Sequence, residues 1–345
     1  MRIVHAAHYS FLRDGVEFFN CEYKLHNGLC QAGHYVYPFS INDRARVNLL
    51  RTKRLGGNFA NTCLITCCKH VEPDMLLLGH AQAITPQTLQ RVRHEHPQMK
   101  IALWYVDPVY LLRDYSHLFD KLPFLDALFV TTGGDLLAQF GRDGCRPAFI
   151  PNPADANIER WKMDERQETD IDLVFIGSDR NHPGRRAFLE ELAAKADGLR
   201  VGFAGCLGHP GVFGDAKDRM LKRALMALNL SDRNDVFLYS SDRIVQLAGN
   251  GICTLTAAAS GLQALYEPDK EMVFFDSIDD LIAKAKRLAA NPAHAREIGR
   301  AGRIKTHTCY SGKAVADFIC KYVTEDASWR DFPWARFCSD FREML

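Results

Sequence analysis

Ile171-Asp172-Leu173-Val174-Phe175-Ile176-Gly177-Ser178-Asp179-Arg180-Asn181-His182-Pro183-Gly184-Arg185-Arg186 runs from an apolar segment through a glycine into a helix start. The β-branched and aromatic residues of 171–176 suit a buried strand, and Gly177 lets the backbone turn tightly or approach a ligand. Apolar residues at helical spacing follow over about 184–196, so the segment reads as strand, loop and helix. The alternation continues downstream with strands at 200–204, 235–239, 253–256 and 272–275 and helices near 216–227 and 241–249. A further helix opens at Ser277, with Asp280 in a capping-box-like start. Its stripe of Ile278, Leu281, Ile282, Ala285, Leu288 and Ala289 is core packing.

Upstream, Pro151-Asn152-Pro153 and the polar stretch to residue 170 interrupt the pattern and read as a linker. Before them lie strand candidates at 2–6, 35–40, 74–78, 101–106, 127–131 and 147–150, with helices near 17–32, 58–70, 84–95 and 133–141. Gly33 caps the first of these helices. Strands alternating with helices imply parallel sheets, so the fold class is α/β with two Rossmann-like, doubly wound domains. In such sheets ligands sit at the carboxyl ends of the strands, and function is expected in a cleft between the two halves.

Composition narrows the classes. The chain has 345 residues, is 47% hydrophobic, and sets Lys+Arg 43 against Asp+Glu 42. It can bury ordinary cores, and a net charge of +1 gives no global reason to bind nucleic acid. Eleven scattered cysteines point to free thiols in a reducing compartment. Cys63, Cys67 and Cys68 lack a second ligand pair at zinc-site spacing and read as buried thiols. No apolar run approaches the ~18 residues of a membrane span, so a cytoplasmic protein is expected, with any membrane contact peripheral. One stretch departs from the overall balance: Arg44, Arg46, Arg51, Lys53 and Arg54 occur without an acid. It reads either as a solvated face or as a patch for anionic lipid or a phosphorylated acceptor.

The segment Ser241 to Thr256, followed by Ser260-Gly261-Leu262 and Tyr266-Glu267-Pro268-Asp269-Lys270-Glu271, places Arg243 and Gln246 one turn apart on a helix that ends in glycine. Here the chain resembles the spore-maturation-type glycosyltransferases that carry a "glycosyl transferases group 1" C-terminal domain. The resemblance covers residues 171–320 and continues through Ala301-Gly302-Arg303 and His307-Thr308-Cys309-Tyr310. The first half resembles lipopolysaccharide-type sugar transferases more loosely, through Lys24-Leu25-His26-Asn27-Gly28-Leu29 and Gly33-His34. The resemblance implies a GT-B fold, with an acceptor domain over 1–152, a linker over 153–170 and a nucleotide-sugar domain over 171–325. It also implies a C-terminal helix over 326–345 crossing back to the first domain.

It further implies metal-independent transfer, leaning to retention, from a nucleotide-sugar co-substrate to a glycan or lipid-linked glycan such as lipopolysaccharide core. The expected donor set is Gly177, Ser178, Arg185, Arg186, Tyr239, Arg243, Gln246 and Gly251, with the arginines matched to phosphate oxygens. Gln246 stands where the family has a carboxylate for the ribose, and an amide lacks the charge-assisted bond. The strand-end loops supply His80, Asp107 and Asp14 as catalytic candidates, a neutral histidine being suited to deprotonate an acceptor hydroxyl near pH 7. Two other readings fit the same sequence: a noncatalytic two-lobed ligand-binding protein, and a nucleotide-sugar epimerase.

Overall fold

A computed structural model describes residues 1–47 and 53–338. The chain forms two compact units, Met1–Pro153 together with Gly312 onward, and Ala154–Ser311. The first unit holds β1 (Arg2–Ala7), β2 (Tyr35–Ser40), β3 (Met75–Gly79), β4 (Lys100–Tyr105), β5 (Ala127–Val130) and β6 (Arg146–Phe149). They pair in parallel in the order β2-β1-β3-β4-β5-β6. The second holds β7 (Ile171–Ile176), β8 (Val201–Ala204), β9 (Ala224–Asn229), β10 (Cys253–Ala257) and β11 (Val273–Phe275), all parallel in the order β11-β10-β9-β7-β8.

Strands such as Met-Leu-Leu-Leu-Gly of β3 are buried along their whole length, as a sheet covered on both faces requires. In the second unit Leu173, Phe175, Met226, Leu228, Leu255 and Val273 of the sheet pack on Leu189 and Leu192 of one helix, and on Leu281 and Leu288 of helix Ile278–Ala290. Ser277 caps that last helix by accepting from the Asp280 amide at 3.1 Å.

The structure corrects the sequence reading at three places. Residues 224–229, read as the end of a helix, are β9, and 235–239, read as a strand, form turns. Ala-Leu-Met-Ala-Leu-Asn has good helix propensity, but its six residues are all buried between β7 and β10, so tertiary burial decides. The polar stretch from Ala154 belongs to the second unit: the Ala154 amide donates to Tyr310 O, and Met163–Glu165 forms a 3-10 turn whose Met163 is buried. The return to the first unit occurs at helix Gly312–Val323, before residue 326. The described residues beyond it form short turns, Ala327–Asp331 and Ala335–Phe337, because Phe318 and Tyr322 of the helix collect Trp329, Phe332 and Trp334 around them.

That helix packs directly on helix Cys21–Gln31, and a Cβ on Gly28 would lie 2.1 Å from Gly312 O. Gly28→Ala must therefore push the helices apart. We expect a loss at or above the ~1–3 kcal/mol typical of overpacked cores. Gly57→Ala, inside helix Lys53–Val71 and with no atom within 4 Å of the added Cβ, serves as the comparison by thermal unfolding and should hold or raise the midpoint. Equal midpoints for the two variants would refute the close contact.

Candidate functional site

Each sheet reverses its winding at one point, between β1 and β3 in the first unit and between β7 and β9 in the second. Crevices at the carboxyl ends of such strand pairs are the natural ligand positions of doubly wound sheets. Both points carry residues singled out from sequence.

At the β7/β9 point the side chain of Arg243 is half-buried. Its Nε donates to Ile176 O at 3.0 Å and its Nη1 to Leu230 O at 3.0 Å, so one guanidinium bridges the ends of the two diverging strands. It also lies over the Phe175 ring, 5.1 Å from the centroid. Among the described residues it has no carboxylate ion-pair partner. Burial, and then the charge of Arg185, push its pKa down to about 10, so it stays charged at neutral pH in a positive field. Arg185, which is buried, donates to Ser178 O at 2.5 Å and so braces the Gly177–His182 loop. Gly177 has its own reason to be glycine: a Cβ there would meet Arg243 Nη2 at 2.7 Å. Beside it Asn229, 1% exposed at the end of β9, donates to Thr256 Oγ1 at 3.0 Å and Ser240 Oγ at 3.2 Å while its Oδ1 has no partner.

The remaining donor candidates divide. Ser178 Oγ accepts from the Arg180 amide, and Tyr239 is buried in the turn after β9. Arg186 points away onto the helix surface, where it pairs with Glu190 at 2.8 Å. Gln246 is engaged within the protein, accepting from Lys217 and donating to Asp242, each at 2.5 Å. Gly251 precedes β10 at the opposite edge of the sheet, and its missing side chain makes room for Asp164, which is paired with Arg303. It belongs to the packing of that edge.

At the β1/β3 point His80 follows Gly79, with a left-handed backbone at φ 57, and Ala81 follows at φ 52. Two consecutive non-glycine residues in this region are strained, and the packing around them holds the strain. His80 Nδ1 lies 3.5 Å from Glu22 Oε1 and its Nε2 lies 3.5 Å from Asp107 Oδ2. These distances are long for hydrogen bonds and right for ion pairs. Burial lowers the imidazole pKa, but Glu22 and Asp107 together outweigh burial and hold it above the ordinary histidine value. The two carboxylates thus favour the protonated form of His80, whereas the sequence reading has it act as a neutral base. The structure brings His80 and Asp107 together and adds Glu22, which sequence reading missed because a lone glutamate in a polar helix carries no signal. Asp14 sits apart on an exposed turn at φ 49.

The ring of His80 rests edge-on against Trp104 at 5.0 Å and stacks on His8 at 5.9 Å. Trp104 is fixed from behind, its indole N–H donating to His5 Nε2 at 3.0 Å. An indole only donates, so His5 keeps its proton on Nδ1 and gives it to Tyr9 Oη at 2.6 Å. Tyr9 then donates to His26 Nδ1 at 3.1 Å. Burial, reinforced by His26, drives the His5 pKa down to about 3, so this chain stays neutral, while the His80 pKa is shifted the opposite way. Asn42 and Asp43 tie loops together: Asn42 donates to Ser10 Oγ at 2.6 Å, and Asp43 accepts from the Phe11 amide at 2.7 Å.

Of the basic stretch, Arg44 is exposed and Arg46 half-buried; Arg51 and the side chains of Lys53 and Arg54 lie outside the described residues. Among the described residues no helix is long and apolar enough to cross a membrane, and no group of three His, Cys, Asp or Glu is placed to hold a metal ion.

A family described as "Glycosyl transferase-like" matches residues 180–321, running on into helix Gly312–Val323. No curated protein matches the chain. Solved structures match nearly end to end at low identity. A sucrose-phosphate synthase from Thermosynechococcus elongatus is 11% identical, with a TM-score of 0.61 over 94% of this chain and 98% of its own. Anabaena Alr3699/HepE in complex with UDP and glucose is 12% identical, with a TM-score of 0.58 over 94% and 99%. The lipopolysaccharide outer core galactosyltransferase WaaB, in its apo form, is 12% identical, with a TM-score of 0.57 over 94% and 99%. The similarity to solved structures is one of fold, and the fold is GT-B. The family match bears on the chemistry: residues 180–321, most of the second unit and the start of helix Gly312–Val323, are glycosyltransferase-like.

Proposed function

We propose that the chain transfers a sugar from a nucleotide-sugar donor held by the second unit to a glycan or lipid-linked glycan acceptor held by the first. The observation that carries this reading is the half-buried Arg243 beside Arg185 at the β7/β9 point, with positive charge where a departing nucleoside diphosphate needs it. These guanidiniums stabilise the leaving phosphate without a metal. Ser178 and the loop opened by Gly177 complete the phosphate side, and Asn229 Oδ1 offers a free acceptor. His80, flanked by Glu22 and Asp107, acts as a charged donor to sugar oxygens. UDP is the first base to test, since Alr3699/HepE was solved with it. The resemblance to lipopolysaccharide-type transferases supports a bacterial surface glycan as acceptor, with retention of anomeric configuration. Exposed Phe11, Leu12, Val16, Phe18 and Val47 lie on segments joined by the Phe11–Asp43 bond. With Arg44 and Arg46 beside them, they suit an anionic membrane carrying the acceptor, the enzyme working peripherally on its cytoplasmic face.

The test is turnover with UDP-, GDP-, CMP- and ADP-sugars, with glycolipid acceptor presented on anionic or zwitterionic vesicles. We expect one donor class to be consumed only with acceptor present, faster on anionic vesicles. Donor isomerised without acceptor would make the protein an epimerase, and binding without turnover would make it a ligand-binding protein.

A further inference from the structure

The second unit has another pocket, of about 630 Å³, built by residues 166–170, the starts of β7, β8 and β9, and the start of helix Pro292–Cys309. It lies at the opposite edge of the sheet from Arg243. Six-residue β7 separates the two edges by about 17–20 Å, so no small ligand touches both. A volume of this size suits a small molecule, since such sites typically enclose ~300–1,000 Å³.

The lining carries more positive charge than it neutralises. Arg223 engages Asp170 through two nitrogens, at 3.0 and 2.5 Å, and Arg200 engages Asp172 at 2.5 Å. Among the described residues Arg166, Lys222 and Arg296 have no carboxylate in ion-pair range, and the one acid of the lining left over, Glu168, is exposed. Arg296 Nη2 donates to Gln167 O at 2.6 Å, but its Nε is buried without a hydrogen-bond partner. An unmade bond on a buried charged donor is costly, and an oxygen acceptor brought from solution removes that cost. Lys222 lies over the Trp161 ring, and burial, together with the charge of Arg166, lowers its pKa. Lys222 and Arg166 therefore repel each other until an anion enters.

We propose that this pocket is a second anion site, binding a small molecule with two phosphate groups independently of the donor nucleotide. Two phosphates match three cations better than one, and guanidinium forks pair with phosphate oxygens two at a time. The site does not depend on the glycosyl-transfer reading, because none of its residues belongs to the Arg243 cluster.

The full chain is titrated with inorganic pyrophosphate and with a hexose bisphosphate by calorimetry at fixed ionic strength, in the presence of saturating UDP. Saturable binding is expected, with Arg166→Glu and Arg296→Gln each weakening it at least tenfold and leaving UDP affinity unchanged. Arg166 is exposed and unpaired, so its variant folds whatever Arg296→Gln does. Tighter binding of the hexose bisphosphate identifies an organic ligand, and tighter binding of pyrophosphate an inorganic one; either supports the site. The proposal is overturned if binding is no stronger than that of sulfate at equal ionic strength, if UDP displaces the pyrophosphate, or if Arg166→Glu binds as wild type does. If UDP itself fails to bind, the donor reading fails separately, and pyrophosphate binding lost in Arg166→Glu still reports this pocket.

Discussion

Arg243→Ala will lower affinity for the nucleoside diphosphate by about 10- to 100-fold, the range of charge-assisted hydrogen bonds worth ~1.5–3 kcal/mol. Turnover will fall further, by about 10²–10³-fold, because charge on the leaving phosphate grows as the sugar bond breaks. The side chain also closes the ends of β7 and β9 through Ile176 O and Leu230 O, and each orphaned carbonyl will cost roughly 1–3 kcal/mol of stability. Arg243→Lys separates the two effects by keeping the charge and losing the fork. It should fold and bind the nucleotide weakly. Gly177→Ala, whose Cβ would sit 2.7 Å from Nη2, should displace the guanidinium and lower affinity in the same direction. Calorimetric titration with UDP beside thermal unfolding reads both effects. A folded Arg243→Lys protein with wild-type affinity and turnover would end the phosphate assignment.

His80→Ala should reduce turnover by about 10²–10⁴-fold, the usual range for a residue that handles protons at the reacting group. The more discriminating variant is Glu22→Gln, which keeps the shape and removes one of the two carboxylates that raise the His80 pKa. His80 should then titrate at lower pH, followed by its imidazole signal in NMR, and the basic limb of the pH–rate profile should move down with it. Stability carries the same sign. A folded-state pKa above the unfolded value means that the His80 pairing is fully present below the ordinary histidine pKa of about 6.5 and is lost as pH rises through the folded value. The destabilisation by Glu22→Gln should therefore be greatest near pH 5.5–6 and shrink toward pH 9. A gap that does not vary with pH would show that the imidazole is not charged in the native state.

The doubly wound architecture was legible because ten of the eleven strands are runs of apolar residues bounded by glycine, proline or polar residues. β9 was missed because alanine, leucine and methionine are good helix formers, and only its position between two strands makes it extended. Arg243 could be found from its spacing in a recognisable segment. The choice between Arg185 and Arg186 could not, since adjacent helical positions differ by about 100° in direction and only the packed helix shows which faces inward. Gly251 misled for a related reason: a glycine after a helix looks the same whether it makes room for a ligand or for Asp164. His80 and Asp107 were found from their places at strand ends, whereas Glu22 reaches them from a helix distant in sequence.

The chain enters and leaves the second unit once each, at Pro153/Ala154 and Ser311/Gly312, and this sets an order of events on the ribosome. The second unit is one continuous stretch and is complete as soon as residue 311 has emerged. The first unit, although synthesis begins with it, must wait for Phe318, Tyr322, Trp329 and Trp334 to cover Phe129 and the back of its sheet. The domain made first thus finishes last, its apolar sheet face open while the whole of its neighbour is being made. A nascent chain in that state is a substrate for chaperones, and a stop codon between residues 312 and 318 would spare the later domain and leave the earlier one without its cover.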